Sequence, residues 1–348
     1  MHVIHPKDVS KFAGTLVAMC ALAHWRRRTM RLRHLPKDYP EDKLSWVDHP
    51  AFGYLYENLT VLSVAYLVAK YVPQPDPARP LRTLGLLITQ MLVMVDPFLS
   101  MEKLMASKVF SHVPYFSERA PPDDWRTIVT DYIKCNIPVI TASSLILVVA
   151  SKFASKEDFD KMFSSDAPPL RFFPYLAKLA FCRVFVDVVF GLAHRFMHEN
   201  QWAYANIHKL HHTHNTPRTV TNFRFFWVDQ FIEAPLPVYL AITALFALGC
   251  GPSKYEQPFI VLPLLYYESA SHTGKEIPIV TWFPLLSPLI DYLTGCDQRL
   301  IEYHTRHHQL YKCNYSISPW FDKLCGTYRI DLPEHYNATK VAETSSTD

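Results

Sequence analysis

One histidine pattern occurs twice in this chain, as His208-Lys209-Leu210-His211-His212 and as His304-Thr305-Arg306-His307-His308. A third cluster, His194-Arg195-Phe196-Met197-His198, lies just upstream of the first copy. With histidine at 17 of 348 positions, a triplet of this spacing arises by chance roughly 0.04 times in a chain of this length. Two copies therefore need a cause. On a helix, positions i, i+3 and i+4 share a face, so His208, His211 and His212 are expected to point one way, and His304, His307 and His308 likewise. His194 and His198 form a further i, i+4 pair. Neutral imidazole is the commonest protein metal ligand and suits iron, zinc, copper and nickel. One tetrahedral ion takes about four ligands. Eight histidines exceed that, so the pattern reads as a dinuclear metal centre. The remaining histidines lack such partners and read as ordinary core or surface residues. His214, just past the middle box, is expected to be exposed or to stand behind the ligands.

Apolar runs set the fold class. Hydrophobic residues make up 49% of the chain and charged residues 19%, against roughly 25% charged in soluble domains. Runs at 52–72, 83–100, 137–150, 172–193, 231–250 and 258–267 carry few charges, and a bilayer span takes about 20 apolar residues. The plain alternative is a soluble helical protein with greasy core helices, but so many runs favour an integral membrane protein. A shorter apolar run, Phe12 to Ala23, precedes Arg26, Arg27, Arg28, Arg31 and Arg33. It reads as an interfacial or tilted anchor, with the arginines on the cytoplasmic face. A net charge of +3 is too slight for a nucleic-acid partner. Seven cysteines without CxxC spacing fit a reducing compartment with no disulfide framework.

The chain divides into a basic lead-in (1–50), N-terminal membrane helices (51–165), a region holding every histidine box (166–330) and a polar tail (331–348). The link at 73–82 and the segment at 101–130 are proline-bearing loops. Lys209, Arg218, Arg299, Arg306 and Lys312 flank the boxes, which places the metal centre at the cytoplasmic edge. The expected fold is all-α: an integral membrane helical bundle with a cytosol-facing, histidine-rich metal-binding cap.

The order HX3H, HX2HH, HX2HH over roughly residues 180–330 resembles the membrane-bound fatty acid hydroxylase and sterol desaturase superfamily. Asp187 stands seven residues before His194, like that family's acidic residue ahead of its first box. Glu268 to Pro278, with His272 at its centre, is similar to the extra histidine segment of the sterol branch. Asn314-Tyr315, Phe321-Asp322 and Gly326-Thr327 resemble the closing motif. There are departures. Arg224-Phe225-Phe226-Trp227 occupies the stretch where the family often has His-Pro. Phe321 replaces a tryptophan, and Ser316 a glycine.

The resemblance implies a non-haem diiron centre held by His194, His198, His208, His211, His212, His272, His304, His307 and His308, with no catalytic residue beyond the metals. Spacing alone would leave His272 a lone histidine. Asp187 would orient a ligand imidazole or ligate directly; the alternative is a buried pair with Arg183. Asn314 would hydrogen-bond near the metals or cap a turn. The implied activity is O2-dependent hydroxylation or desaturation of a membrane lipid, with a sterol or sterol precursor favoured by the His272 segment. Electrons would come from NAD(P)H through a separate b-type cytochrome and its reductase, at the endoplasmic reticulum. Phe172, Phe173, Phe181, Phe185, Phe190, Phe223, Phe225, Phe226 and Trp227 would line a lipid path or pack as ordinary core and lipid-facing aromatics. The competing activities are a fatty acyl or sphingolipid hydroxylase, a squalene-type epoxidase and, from other classes, a zinc-dependent membrane hydrolase or a metal transporter. A hydrolase would prefer a general base such as the Glu of HExxH, and neither HxxHH box contains one.

Overall fold

Proline and short polar caps punctuate the apolar segments, and helices form between them. The computed structural model describes residues 2–27, 48–72, 101–113, 124–153, 167–275, 283–294 and 300–331, with a few positions between these. The long helices are α1 (Pro6–Arg27), α2 (Pro50–Tyr71), α3 (Trp125–Phe153) and α4 (Phe172–Glu199). They are followed by α5 (Trp227–Glu233), α6 (Pro235–Ala247), α7 (Gln257–Ser271), α8 (Ser287–Thr294), α9 (Leu300–Leu310) and α10 (Pro319–Cys325). Proline begins α2 and α6 at positions where its missing N–H costs nothing. The only β pairing among the described residues is a single bridge between Ile4 and Leu170. The all-α expectation agrees with this.

Helix α4 is the centre of the assembly. Phe172, Tyr175, Leu179, Cys182 and Val186 bury one face of it against Phe12 of α1, Ala241 and Leu245 of α6, and Phe259 and Ile260 of α7. Ala65 and Ala69 bring α2 into the same core. Asp8 locks the start of α4. Its Oδ2 accepts from Arg171 Nε (2.8 Å) and from the Phe172 backbone N–H (3.3 Å), a carboxylate on the positive end of a helix.

Outward faces are apolar as well. Val17, Leu67, Leu145, Val184 and Leu240 are all more than a third exposed. Among the described residues, one helical stretch, Trp227–Ala247, is long and apolar enough to cross a membrane by length and composition. That is fewer than the six runs counted from sequence. Run 52–72 folds as α2 but carries Glu57 and Lys70. Run 172–193 is the buried-core helix α4, and run 258–267 is short. Most of run 83–100 lies outside the described residues. So do Arg28, Arg31 and Arg33, most of the link at 73–82, Pro114, Pro121, Pro122 and Arg299, and the tail from 332.

Helix α10 docks on α4 at Gly191. A Cβ there would lie 2.9 Å from Phe321 Cδ1 and 3.0 Å from Ser316 Cβ, closer than carbon atoms pack. Gly191→Ala is therefore expected to destabilise the protein by about 1–3 kcal/mol, as overpacking does. Thermal unfolding of the purified variant in detergent checks this. An unchanged midpoint would show that the α4–α10 contact is loose.

Candidate metal centre

The structure brings all nine predicted histidines together as two adjoining sets. His194, His198, His208, His212 and His307 form the first, and His211, His272, His304 and His308 the second; within each set the ligand atoms lie within 4.8 Å of one another. Eight of the nine are buried and His304 is half-buried. The sets touch, since the His212 and His308 ring centroids are 4.6 Å apart.

Each box reaches this arrangement differently. His194 and His198 end α4, and Asn200 caps the next turn through the Ala203 N–H (3.0 Å). The third box lies on the regular helix α9. The middle box does not form the expected helix. His208 closes a π-turn, Tyr204–His208, and His211–Thr213 is a 3-10 turn in which His212 leaves helical geometry (φ −84, ψ 19). Nor do the members of a triplet point one way. His208 and His212 enter the first set and His211 the second; His304 and His308 enter the second and His307 the first. The reason is angular. At about 100° per residue, i+3 and i+4 fall on opposite sides of i on the regular helix α9, so two adjacent sets collect alternate members of the third box; the middle box reaches the same division through its π-turn and 3-10 turn.

Hydrogen bonds behind the rings fix the tautomers. A carbonyl oxygen only accepts, so a ring nitrogen facing one must carry the proton. His194 Nδ1 donates to the Tyr315 carbonyl (2.7 Å) and His307 Nδ1 to that of Cys313 (2.7 Å). His272 Nδ1 donates to the Glu268 carbonyl (3.0 Å), and His208 Nδ1 donates to Asp229, whose two oxygens lie at 3.0 Å. Each Nε2 of these four is then a bare lone pair turned inward. Yet His194 Nε2 and His208 Nε2 are 3.0 Å apart, and two lone pairs at that distance repel unless a cation lies between them. His212 Nε2 stands 2.9 Å from His208 Nε2, and His304 Nε2 3.0 Å from His272 Nε2. Two nitrogens bound about 2.1 Å from one ion at adjacent positions are themselves about 3.0–3.4 Å apart. The donor set therefore fits two metal ions.

Burial, reinforced by neighbouring imidazoles, pushes His194, His198, His211, His212, His304 and His308 well below their ordinary pKa. Burial brings His272 down to about 4 and His307 to about 3. All eight are held in the neutral form at pH 7, as a metal ligand must be.

Asp187 follows neither of its expected roles, and Asn314 follows the second of its two, bracing a turn. Asp187 touches no histidine. It accepts from the Ser318 backbone N–H (2.9 Å) and hydroxyl, tying the start of α10 to α4. It does not pair with Arg183, whose guanidinium has no acceptor. Asn314, at φ 57, braces the loop after α9, donating to the Tyr303 and Arg329 carbonyls (2.9 and 2.6 Å) and accepting from the Arg329 N–H (2.7 Å). Asp322 finishes the brace by accepting from the Tyr315 and Ser316 N–H groups (3.0 and 2.7 Å) and from the hydroxyls of Tyr303, Ser316 and Thr327. This loop carries the carbonyls that orient His194 and His307. His214 is buried rather than exposed, and its Nε2 accepts from Arg224 (3.4 Å).

Sequence reasoning missed Asp229, Glu233 and the carbonyls of Cys313 and Tyr315. The signal available was a pair of carboxylates, i and i+4, opening an otherwise apolar stretch. Of the nine aromatics singled out, Phe225 stacks on His211 (centroids 4.1 Å) and Phe190 lies against His194 (5.0 Å). Phe172 and Phe223 pack in the core, and Phe173, Phe226 and Trp227 are exposed.

Residues 179–327 match the fatty acid hydroxylase family. A Dictyostelium discoideum protein with the provisional name methylsterol monooxygenase is 28% identical over 166 residues, 46% of this chain and 53% of the relative. The chain thus spans about half the length of the curated relative it matches. No solved structure matches it. The family match and the relative together support the fatty acid hydroxylase and sterol desaturase superfamily for this region, which holds a buried histidine cluster able to bind metal.

The lowered pKa values set a pH window. Below the ordinary 6.5, an opened or unfolded chain takes up protons that the closed cluster refuses, so stability is full above that value and is lost as pH falls. Metal release, followed with a chromophoric chelator, is expected to begin just below pH 6.5 and to continue toward pH 4. Release independent of pH across that range would show that the imidazoles are not ligands.

Proposed function

We propose that this protein is an O2-dependent non-haem diiron oxidase, a hydroxylase or desaturase, acting on a membrane lipid. The observation that carries the reading is the convergence of nine imidazoles on two adjoining sets, four of them with Nδ1–H tied outward and a bare Nε2 turned inward. The set of His194, His198, His208, His212 and His307 and the set of His211, His272, His304 and His308 would each hold one iron. A redox metal pair supplies what zinc lacks, the reduction of dioxygen coupled to oxidation of an unactivated C–H bond. The chain's own contribution is to keep the imidazoles neutral by burial, to hold their orientation from the backbone of residues 313–315, and to cover the centre with Phe190 and Phe225 so that water stays out.

A lipid substrate is supported by the exposed apolar faces of α1, α2, α3, α4 and α6 and by the apolar stretch Trp227–Ala247. A sterol or sterol precursor is the substrate we favour, because His272 completes the second set from the segment similar to the sterol branch, and because the relative carries a methylsterol monooxygenase name. Exposed Lys209 and Lys312 beside the boxes suit docking of an acidic b-type cytochrome that passes on electrons from NAD(P)H through its reductase. This face would lie toward the cytosol, at the endoplasmic reticulum. Residues 166–330 would form the catalytic region, carried by the N-terminal helices.

Lipid mass spectrometry of cells expressing the chain, with and without O2, is expected to show an oxidised sterol or lipid only in air. His211→Ala and His307→Ala are each expected to abolish that product, each variant losing one of two irons while staying in the membrane fraction. A product formed without O2 would indicate a hydrolase. Turnover surviving in either variant would remove that histidine from the centre.

A further inference from the structure

An electron that reaches this centre must cross from a protein surface to imidazoles that are buried in eight cases of nine. Two half-buried tyrosines span that gap on one side. Tyr204 opens the π-turn that His208 closes, and Tyr311 is the first residue after α9. Between ring centroids, Tyr311 lies 5.1 Å from His212, and Tyr204 lies 5.5 Å from His198 and 6.3 Å from His212. The two tyrosine rings are 6.4 Å apart. All these contacts fall on the five-histidine set. Tyr315 touches the same set but is buried. Among the described residues, the rings that meet the second set are other histidines and Phe225, which is buried as well.

Tyr311 keeps its place at a conformational cost. Its φ is 61, and just past a helix that left-handed position is the usual seat of glycine or asparagine. A bulky ring on strained backbone beside a candidate metal site points to work done by the ring. Its hydroxyl donates to Asn215 Oδ1 at the surface (2.7 Å), which steadies the ring over His212. The surroundings select the donor. Lys209 follows the π-turn and Lys312 follows Tyr311, and both are exposed. The other exposed charge within residues 199–215 and 309–313 is Glu199, which is matched by Arg195 (2.8 Å). This face is therefore net positive, which draws and orients an acidic partner.

Resting on the oxidase reading above, we propose that Tyr204 and Tyr311 form the electron entry port, where an acidic one-electron haem protein docks beside Lys209 and Lys312 and delivers to the set of His194, His198, His208, His212 and His307. Two donor molecules each give one electron. Their haem irons pass from ferrous to ferric as the two ferric ions of the centre become ferrous. Electron tunnelling weakens steeply with the gap to be crossed, and the two rings shorten it. They act by contact with the ligand imidazoles and are not themselves oxidised.

The test mixes the iron-loaded full chain, in detergent, with the reduced soluble haem domain of a b-type cytochrome, and follows haem oxidation by stopped flow as donor concentration is raised. Tyr204→Leu and Tyr311→Leu remove a ring and keep bulk. Each is expected to slow the limiting rate at saturating donor by about tenfold or more, with iron content unchanged. Tyr311→Gly relaxes the backbone and is expected to be as slow, whereas a purely structural role would leave it as fast as wild type. Tyr311→Phe is expected to restore the rate, because it keeps the ring. Lys209→Glu and Lys312→Glu are expected to raise the donor concentration needed for half the limiting rate and to flatten its dependence on salt. An unchanged limiting rate in both leucine variants overturns the proposal and moves entry to the half-buried His304. A Tyr311→Phe variant as slow as Tyr311→Leu overturns the role of the ring. Wild type that holds two irons and is not reduced by the haem domain at all would instead defeat the oxidase reading.

Discussion

The whole centre depends on which nitrogen of each imidazole carries its proton. Four rings donate Nδ1–H backward to acceptors that cannot reciprocate: the carbonyls of Tyr315, Cys313 and Glu268, and the Asp229 carboxylate. Once those bonds form, the inward nitrogens are bare. In water such a cluster would protonate and fly apart. In the interior, protonation costs the burial of an unpaired charge, so the rings stay neutral and the cavity they define has a standing demand for cations. Folding and metal affinity are linked through that demand.

Much of the surrounding structure exists to hold those acceptors still. The loop between α9 and α10 contains two residues at positive φ, Tyr311 and Asn314, a conformation costly for non-glycine residues. Asn314, Asp322 and Asp187 hold it at three points: to α9 and Arg329, to α10, and to α4. The closing motif is therefore a positioning device that acts through backbone carbonyls rather than a set of ligands. Ser316, which stands where the family has glycine, keeps its place because its hydroxyl bonds Asp322 and because Gly191 opposite offers no side chain to meet it. Where the family often has His-Pro, Phe225 lies flat on His211 and shields the second set from water.

What the sequence made legible follows from the range of each interaction. The histidine boxes are local patterns, and residue type and spacing sufficed to pick out eight of the nine rings that converge; His272 lies outside any box, and only the resemblance pointed to it. The helical nature of the chain was equally plain from its apolar runs. The middle box was misread because its π-turn and 3-10 turn arise from packing between α4 and α5, which no i, i+4 rule encodes. The roles of Asp187 and Asn314 were left between a metal-side and a structural reading because their bonds run to residues 131 and 15 positions away along the chain. Asp229 and Glu233 went unnoticed because, 21 and 25 residues after His208, they become its neighbours only when α5 folds back.

The division of each box between two sites explains why the pattern is HxxHH and not HxxxH alone. An i, i+4 pair builds half of one site: His194 with His198, His208 with His212, and His304 with His308. The i+3 ring, His211 or His307, reaches across to the other. Each two-box element thereby stitches both metal positions together, so neither site can form without the elements of its neighbour. His194 and His198 lack an i+3 histidine, since Met197 occupies that place and is buried. The second set is left one ring short and takes His272 from α7 as its fourth. The unequal ring count thus follows from the sequence: one box of two and two boxes of three distribute as five and three, and a single imidazole from outside the boxes brings the second set to four.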